Sequence, residues 1–327
     1  MTMKRYKTAI VGLGNIAWKF DARVRSADPL THAGAYMKNP RTVLVGGCSP
    51  DKQDRRDFEK RYGAPAFAGI EEMIGKTEPH IVSICSPSAL HYEHVEYSLR
   101  KRVPMIWLEK PPTLTVEDID GLIYKVRAAG SSRLLVNYQR RYCRSYARLK
   151  ELLARRALGR IVSVNLTYSR GLATNGSHIL DMAFFLTGDK VDAVIGPVSP
   201  ASGSANPSFM MKLAGGIPCS VSGMDLPYHC IDVSVTCERG RASIIHGGMK
   251  TVWEMKEEHE LFPGFYRLRD AAKNLIGPGG FKGSMTAALG DIINAHEKRR
   301  EPVSSLRTAR RSQLVMEEVN KRIKAAG

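Results

Sequence analysis

The chain has 327 residues, enough for about two domains of roughly 150 residues each. Its 43% hydrophobic and 25% charged content is ordinary for a soluble globular protein, and no apolar run approaches the roughly 20 residues that a membrane span needs. A net charge of +17 invites a nucleic-acid reading, but most of the basic clusters (Arg140-Arg141, Arg155-Arg156, Lys298-Arg299-Arg300, Arg310-Arg311) sit in helix-like segments with acidic neighbours, and no nucleic-acid module accompanies them. What the charge favours is an anionic small molecule.

The first residues, Met1-Thr2-Met3-Lys4-Arg5-Tyr6, lead directly into a strand pattern with no signal-peptide core. Cys48, Cys85, Cys143, Cys219, Cys230 and Cys237 are scattered and form no Cys-x-x-Cys pair, so free buried thiols in a reducing cytoplasm are expected and a metal site is not. The run from Tyr6 to Val11 enters Gly12-Leu13-Gly14-Asn15-Ile16-Ala17, a Gly-x-Gly-x-x-Ala turn. In such a turn Gly12 permits the tight bend and Gly14 lets backbone approach a pyrophosphate. Ala17 is small enough for the next helix to pack on the strand. The pyrophosphate then lies on the N–H groups of that helix's first turn.

From residue 6 to about 136, strand patterns at 8–11, 43–48, 80–85, 103–108 and 133–136 alternate with helix patterns at 51–62, 70–76, 89–101 and 116–129. That alternation implies parallel βαβ units. The polar stretch from Asp21 to Pro29 interrupts where one continuous helix is expected; it reads as an inserted loop on the cofactor side, followed by a helix over 31–38 with Thr31 as N-cap. After about residue 158 the pattern changes. Val162, Val164, Leu166 and Tyr168 alternate with Ser163, Asn165, Thr167 and Ser169, a strand with one buried face. Further strand patterns at 191–198, 208–213, 219–223, 231–237 and 242–246 follow without helices between them, which predicts a mostly antiparallel sheet. Two helices close the chain, the last with an apolar stripe at Val315, Val319 and Ile323, and Gly277-Pro278-Gly279-Gly280 is a loop. The expected architecture is α/β: a Rossmann dinucleotide-binding domain over 1–136, and over 137–327 an α+β domain with a large, open, mostly antiparallel sheet, the final helices free to return to the first domain.

Three motifs in this order make the chain resemble the glucose-fructose oxidoreductase / inositol dehydrogenase / MocA (Gfo/Idh/MocA) family. They are Gly12 to Ala17, Glu109-Lys110-Pro111 after the fifth strand, and Gly176-Ser177-His178-Ile179-Leu180-Asp181 opening a helix of the second domain. Ser86-Pro87-Ser88-Ala89-Leu90-His91 follows the fourth strand as the family's Thr-Pro-Asn-x-x-His does, and Arg300-Glu301-Pro302-Val303 before the last helix is also similar. The resemblance implies an active site between the domains and a catalytic set that includes Lys110 and His178. It also implies cofactor contacts at Glu109 and His91 and a cis Lys110–Pro111 peptide. The chemistry stands without it. A lysine at the carboxyl end of a parallel strand faces the nicotinamide crevice, where it holds a substrate oxygen and stabilises charge. A histidine has the pKa range to take or give the hydroxyl proton.

The cofactor set is therefore Gly12, Gly14, Asn15, Ile16, Ala17, Ser49, Lys52, Ser86, Pro87, His91, Glu109 and Lys110; the substrate set is Lys110, Asn137, Arg140, Asn175, His178 and Asp181. Asp181 either touches substrate or supports its helix's first turn, and Asn137 and Arg140 serve either the site or the structure. His229 and His246 read as structural. Two positions depart from the family. Thr174 stands where many members carry an Asp that orients the catalytic His. Ser49, after the second strand, replaces the Asp that holds a ribose 2′-hydroxyl, and Lys52, Arg55 and Arg56 lie near it, which tilts NAD(P) towards NADP. The expected reaction is hydride transfer between the nicotinamide and a secondary alcohol or ketone of a sugar-like substrate, nucleotide-linked or phosphorylated. The rival is a non-catalytic dinucleotide-binding regulator on the same scaffold. No nucleic-acid or membrane partner is expected, and an apolar face on the second sheet, read from Val162, Val164 and Leu166, predicts a homodimer or homotetramer through it.

Overall fold

In the computed structural model, residues 4–24, 28–188, 191–199 and 205–326 are described. They fall into two compact units, one of the residues up to Tyr142 with Lys282–Arg310, the other of Cys143–Phe281 with the residues from Arg311 on.

In the first unit, strands β1 (Tyr6–Val11), β2 (Thr42–Cys48), β3 (Ala66–Phe67), β4 (Ile81–Ile84), β5 (Met105–Leu108) and β6 (Arg133–Val136) form a parallel sheet in the order β3-β2-β1-β4-β5-β6. Helices α1 (Phe20–Arg23), α2 (His32–Lys38), α3 (Lys52–Tyr62), α4 (Ile70–Thr77), α5 (His91–Arg100) and α6 (Val116–Ala129) connect them. A parallel sheet is covered on both faces, and alternate residues show it. Val11, Val82, Ile84, Leu108 and Val136 pack with Met73, Val95, Ile119 and Leu122. Ile10, Ile81, Trp107 and Leu135 belong to a second cluster with Tyr36 and Phe58. The strand order reverses between β1 and β4, so the carboxyl ends of these two strands flank the crevice where an open α/β sheet holds its ligand.

The Asp21–Pro29 stretch does break the first helix. Asn15–Lys19 is a wide π-type turn, α1 is only 4 residues long, and α2 starts anew. The Asp21 carboxylate accepts from the Leu30 and Thr31 amides and the Thr31 hydroxyl, and Thr31 Oγ1 in turn accepts from Gly34 N at 3.1 Å. Thr31 is thus the N-cap of α2. Residues 25–27 of the inserted loop lie outside the described residues.

The second unit contains α7 (Arg144–Ala154), β7 (Ile161–Tyr168), α8 (Ser177–Thr187), β8 (Val191–Ser199), β9 (Ser208–Leu213), β10 (Ile217–Gly223), β11 (Ile231–Cys237), β12 (Gly240–Ile245), β13 (Lys250–Glu258) and β14 (Tyr266–Asp270). The open sheet has 8 strands in the order β14-β13-β12-β11-β7-β10-β9-β8. Only β7 and β10 run parallel; every other pair is antiparallel. Strands β13 and β14 extend the sheet beyond what the sequence pattern indicates.

One expectation is corrected here. Val164, Leu166 and Tyr168 are buried in the unit's own core with Leu149 and Leu153 of α7 and Ile179, Met182 and Phe185 of α8, leaving only Val162 of that row exposed. The apolar face is covered from within, so it offers nothing to a second copy. The opposite face carries Ser163, Asn165, Thr167, Ser220 and Ser234, and its side chains bond one another, as Ser220 Oγ does to Asn165 Oδ1 at 2.7 Å.

Helix α9 (Ser284–Glu297) returns the chain to the first unit, where Met285, Leu289 and Ile292 join the Trp107 cluster. Helix α10 (Leu306–Ala326) gives Leu306 and Ala309 to the first unit's core, and Val315, Met316 and Val319 to the second's. Among the described residues no helix is long and apolar enough to cross a membrane.

Candidate active site

At the end of β1 the backbone of Gly12 has φ +84°, and a Cβ there would lie 2.7 Å from the Cys85 carbonyl carbon and the Ser86 nitrogen. Only glycine fits. Around Gly14 a Cβ would meet no atom within 4 Å, so the chain leaves open space above that backbone for a ligand. Ala17 is fully buried, Ile16 half-buried and Asn15 exposed. The Trp18 indole donates to Leu13 O at 3.0 Å and fixes the turn's far side. These residues fit a dinucleotide pyrophosphate: the turn is tight, its crest is bare, and N–H groups follow.

Ser49 is buried at the end of β2. The structure returns a carboxylate to this place by another route. Asp54, in the first turn of α3, has Oδ2 3.4 Å from Ser49 Oγ and pairs with Lys19 through Oδ1. Arg55 donates to the Ser49 and Pro50 carbonyls at 2.7 and 2.8 Å, while Lys52 and Arg56 are exposed. The nearness of Asp54 to Ser49 was not legible, because it stands five positions further on and only the helical turn brings it back.

Beyond β4, Ser86 Oγ bonds His94 Nδ1, and Pro87 precedes the 3₁₀ turn Ser88–Leu90. His91 is the residue expected as a cofactor contact. Its ring is buried, with Nδ1 on Pro111 O at 2.8 Å and Nε2 on Ser86 O at 2.9 Å, so both nitrogens brace the loops after β4 and β5. Glu109 and Asn137 are likewise hydrogen-bonded within the protein. Glu109 Oε1 accepts from Asn137 Nδ2 at 2.6 Å and His32 Nε2 at 2.9 Å, and Oε2 accepts from the Lys110 amide at 3.2 Å. Asn137 Oδ1 takes the Trp107 indole N–H at 3.2 Å. These bonds tie Glu109 and Asn137 to each other and to the backbone of Lys110.

Lys110 follows β5, with a cis peptide to Pro111. Burial pushes its ammonium below the ordinary lysine range; Glu109 opposes this and Arg140 adds to it. Arg140, buried in the turn Gln139–Tyr142, is therefore an electrostatic neighbour of Lys110. Burial alone would raise the Glu109 carboxyl. The hydrogen bond from His32, then Asn137 and Lys110, outweigh it and hold the group below the usual carboxylate range.

In the second unit, Gly176 ends the turn Leu172–Gly176 and a Cβ on it would lie 2.8 Å from Leu172 Cδ1, which explains a glycine directly before α8. His178 is the second residue of α8 and is half-buried. Asp181 lies one turn later on the same helix face and is fully buried. Asn175 is buried, with Nδ2 3.3 Å from the Nδ1 of His229, a residue the sequence marks as structural. Thr174 is exposed, and His246 is exposed at a left-handed turn after β12. Among the described residues no group of three or more His, Cys, Asp or Glu side chains could hold a metal ion.

Residues 6–138 match the profile of the oxidoreductase family with an NAD-binding Rossmann fold that bears the names Gfo, Idh and MocA. Residues 6–138 thus carry the NAD-binding domain of the Gfo/Idh/MocA family. The chain is 26% identical to the D-glucoside 3-dehydrogenase of Escherichia coli K12 over 58% of this chain and 56% of that protein. It is likewise 26% identical to the glucose-6-phosphate 3-dehydrogenase of Bacillus subtilis 168, over 55% and 53%. The chain thus spans about half the length of the curated relatives it matches. The WlbA dehydrogenase of Bordetella pertussis, solved with NADH and UDP-GlcNAcA, shares the fold across 100% of this chain and 98% of that one, with a TM-score of 0.78 at 16% identity.

Proposed function

We propose that this chain is a Gfo/Idh/MocA member and an NAD(P)-dependent dehydrogenase acting on a secondary hydroxyl of an anionic, sugar-like substrate. The observation that carries the reading is Lys110. It is held after β5 beside Arg140, on the sheet whose β1 ends in the bare Gly12–Gly14 turn. In oxidation the substrate carbon gives up a hydride and its hydroxyl gives up a proton. The proton passes to a general base, the role for which the sequence offers His178, while Lys110 holds the oxygen and offsets its negative charge. When bound, the nicotinamide supplies the hydride acceptor. Reduction reverses each transfer.

Two features support an anionic substrate, phosphorylated or nucleotide-linked. The chain carries +17, and a second buried cation, Arg140, accompanies Lys110. One relative is named for glucose 6-phosphate and a structural neighbour was solved with UDP-GlcNAcA, though another relative is named for a D-glucoside. For the cofactor, Ser49 stands on the NADP side and Asp54 on the NAD side, and we propose that the Lys19–Asp54 pair sets the balance. Tryptophan quenching with NADH and NADPH, on the wild type and Lys110→Ala, tests the dinucleotide site. A panel of sugar phosphates, UDP-, GDP- and CMP-sugars, free glucose and inositol then tests the substrate. Binding of neither nucleotide overturns the enzyme reading; turnover of free sugars alone overturns the anionic one.

A further inference from the structure

We infer that His32 is a positioning residue for Lys110, because it keeps the intervening Glu109 carboxylate an anion. The inference rests on the proposed role of Lys110 and concerns a cluster lying wholly in the first unit. His32 is completely buried at the start of α2, between Ser83 of β4 and Glu109 beyond β5. A carboxylate only accepts, so His32 Nε2 is the donor in its 2.9 Å contact with Glu109 Oε1. In the neutral ring Nδ1 is then the acceptor, and Ser83 Oγ, 2.8 Å away, donates to it. Ser83 Oγ lies 2.5 Å from the Tyr36 hydroxyl. Burial pushes Tyr36 far above the ordinary range, so it stays a protonated donor. The donors therefore run in one direction, from Tyr36 through Ser83 and His32 to Glu109, and each bond polarises the next.

That direction matters because Glu109 is nearly inaccessible and would otherwise take up a proton. With His32 and Asn137 donating to one oxygen and the Lys110 amide to the other, the anion is fully satisfied. Its charge attracts the Lys110 ammonium, against both the burial of that ammonium and the repulsion of Arg140. Cys85 and His91 also feel Glu109. Cys85 is a thiol held well above its ordinary range by burial, and His91 has both ring nitrogens on carbonyl oxygens. Neither can replace His32 as a donor to Glu109.

The test titrates Lys110 in the full chain without turnover. Acetic anhydride labels the free amine, and peptide mass spectrometry follows Lys110 labelling against pH. His32→Phe removes the donor, Glu109 takes a proton, and Lys110 loses its own proton at a pH lower by at least about one unit, the size of effect expected of one nearby charge. His32→Gln keeps the wild-type curve, because the carboxamide offers an N–H to Glu109 and an oxygen to Ser83. Glu109→Gln reproduces the His32→Phe curve, and it carries the charge argument if His32→Phe fails to fold. A folded His32→Phe with the wild-type curve overturns the inference, as does a Glu109→Gln curve that does not move. Absence of turnover with every sugar would sink the dehydrogenase reading while leaving this titration intact.

Discussion

Gly12 and Gly14 stand two positions apart in one motif, yet a methyl group on the first meets main-chain atoms after β4 and one on the second meets nothing. They separate folding from binding. For Gly12→Ala the left-handed backbone alone costs about 1 to 2 kcal/mol, and the contact with rigid backbone adds to it, so a clear drop in melting temperature and loss of NADH binding are expected. For Gly14→Ala the melt stays in place while NADH binding weakens about tenfold, or about 1.4 kcal/mol. Equal destabilisation in the two variants would refute the separation. Asp54 makes a second residue-level prediction. Asp54→Asn removes a charge next to Ser49 and shifts the preference towards NADPH by roughly tenfold, read as the ratio of quenching constants. The glycines were legible because their constraint is local. The partners of Glu109 were not: His32, Ser83 and Asn137 come from three elements, and only the sheet order makes them neighbours.

Elements whose signals lie within their own sequence were legible to within a few residues. The patterns at 116–129 and 133–136 coincide with α6 and β6, and those at 208–213 and 231–237 with β9 and β11. Strands β13 and β14 were missed for a physical reason. They form one end of the sheet, with β14 its edge, and their charged sequence buries only Trp253 of β13, so no buried row imposes an alternation. Their register is marked instead by pairs such as Arg241 with Glu254 and Arg267 with Glu257. The break before α2 was legible from Pro29 and Thr31, and its energetic content is testable. Thr31→Ala removes the cap of the helix that carries His32 and is expected to cost about 1 kcal/mol, seen as a melting temperature lower by a few degrees. Thr31→Ser, which retains the acceptor, is expected to stay close to the wild type. An unchanged melt for Thr31→Ala would mean that Asp21 alone holds the start of α2.

At the scale of the whole chain, the change from alternating helix and strand to strand after strand separated a parallel sheet from a mostly antiparallel one. It did not give the strand order of the second sheet, where β7 and β10 lie side by side and parallel although α8, β8 and β9 intervene in sequence. The charge of +17 is likewise a property of the chain as a whole. Most of the close ion pairs join partly exposed side chains, which contribute little to stability, so the excess bears chiefly on association. A positive field acts over about 10 Å at 0.1 M salt and about 3 Å at 1 M, and it accelerates capture of anions but not of neutral molecules. With the dinucleotide held saturating, kcat/KM for a sugar phosphate or nucleotide-linked sugar is expected to fall steadily as salt rises from about 0.01 M to 0.3 M, while that for a neutral polyol stays flat. Parallel salt dependence for both classes would show that the charge serves something other than the substrate. A flat response for both would show that Lys110 and Arg140 act only at contact range, where salt screens little.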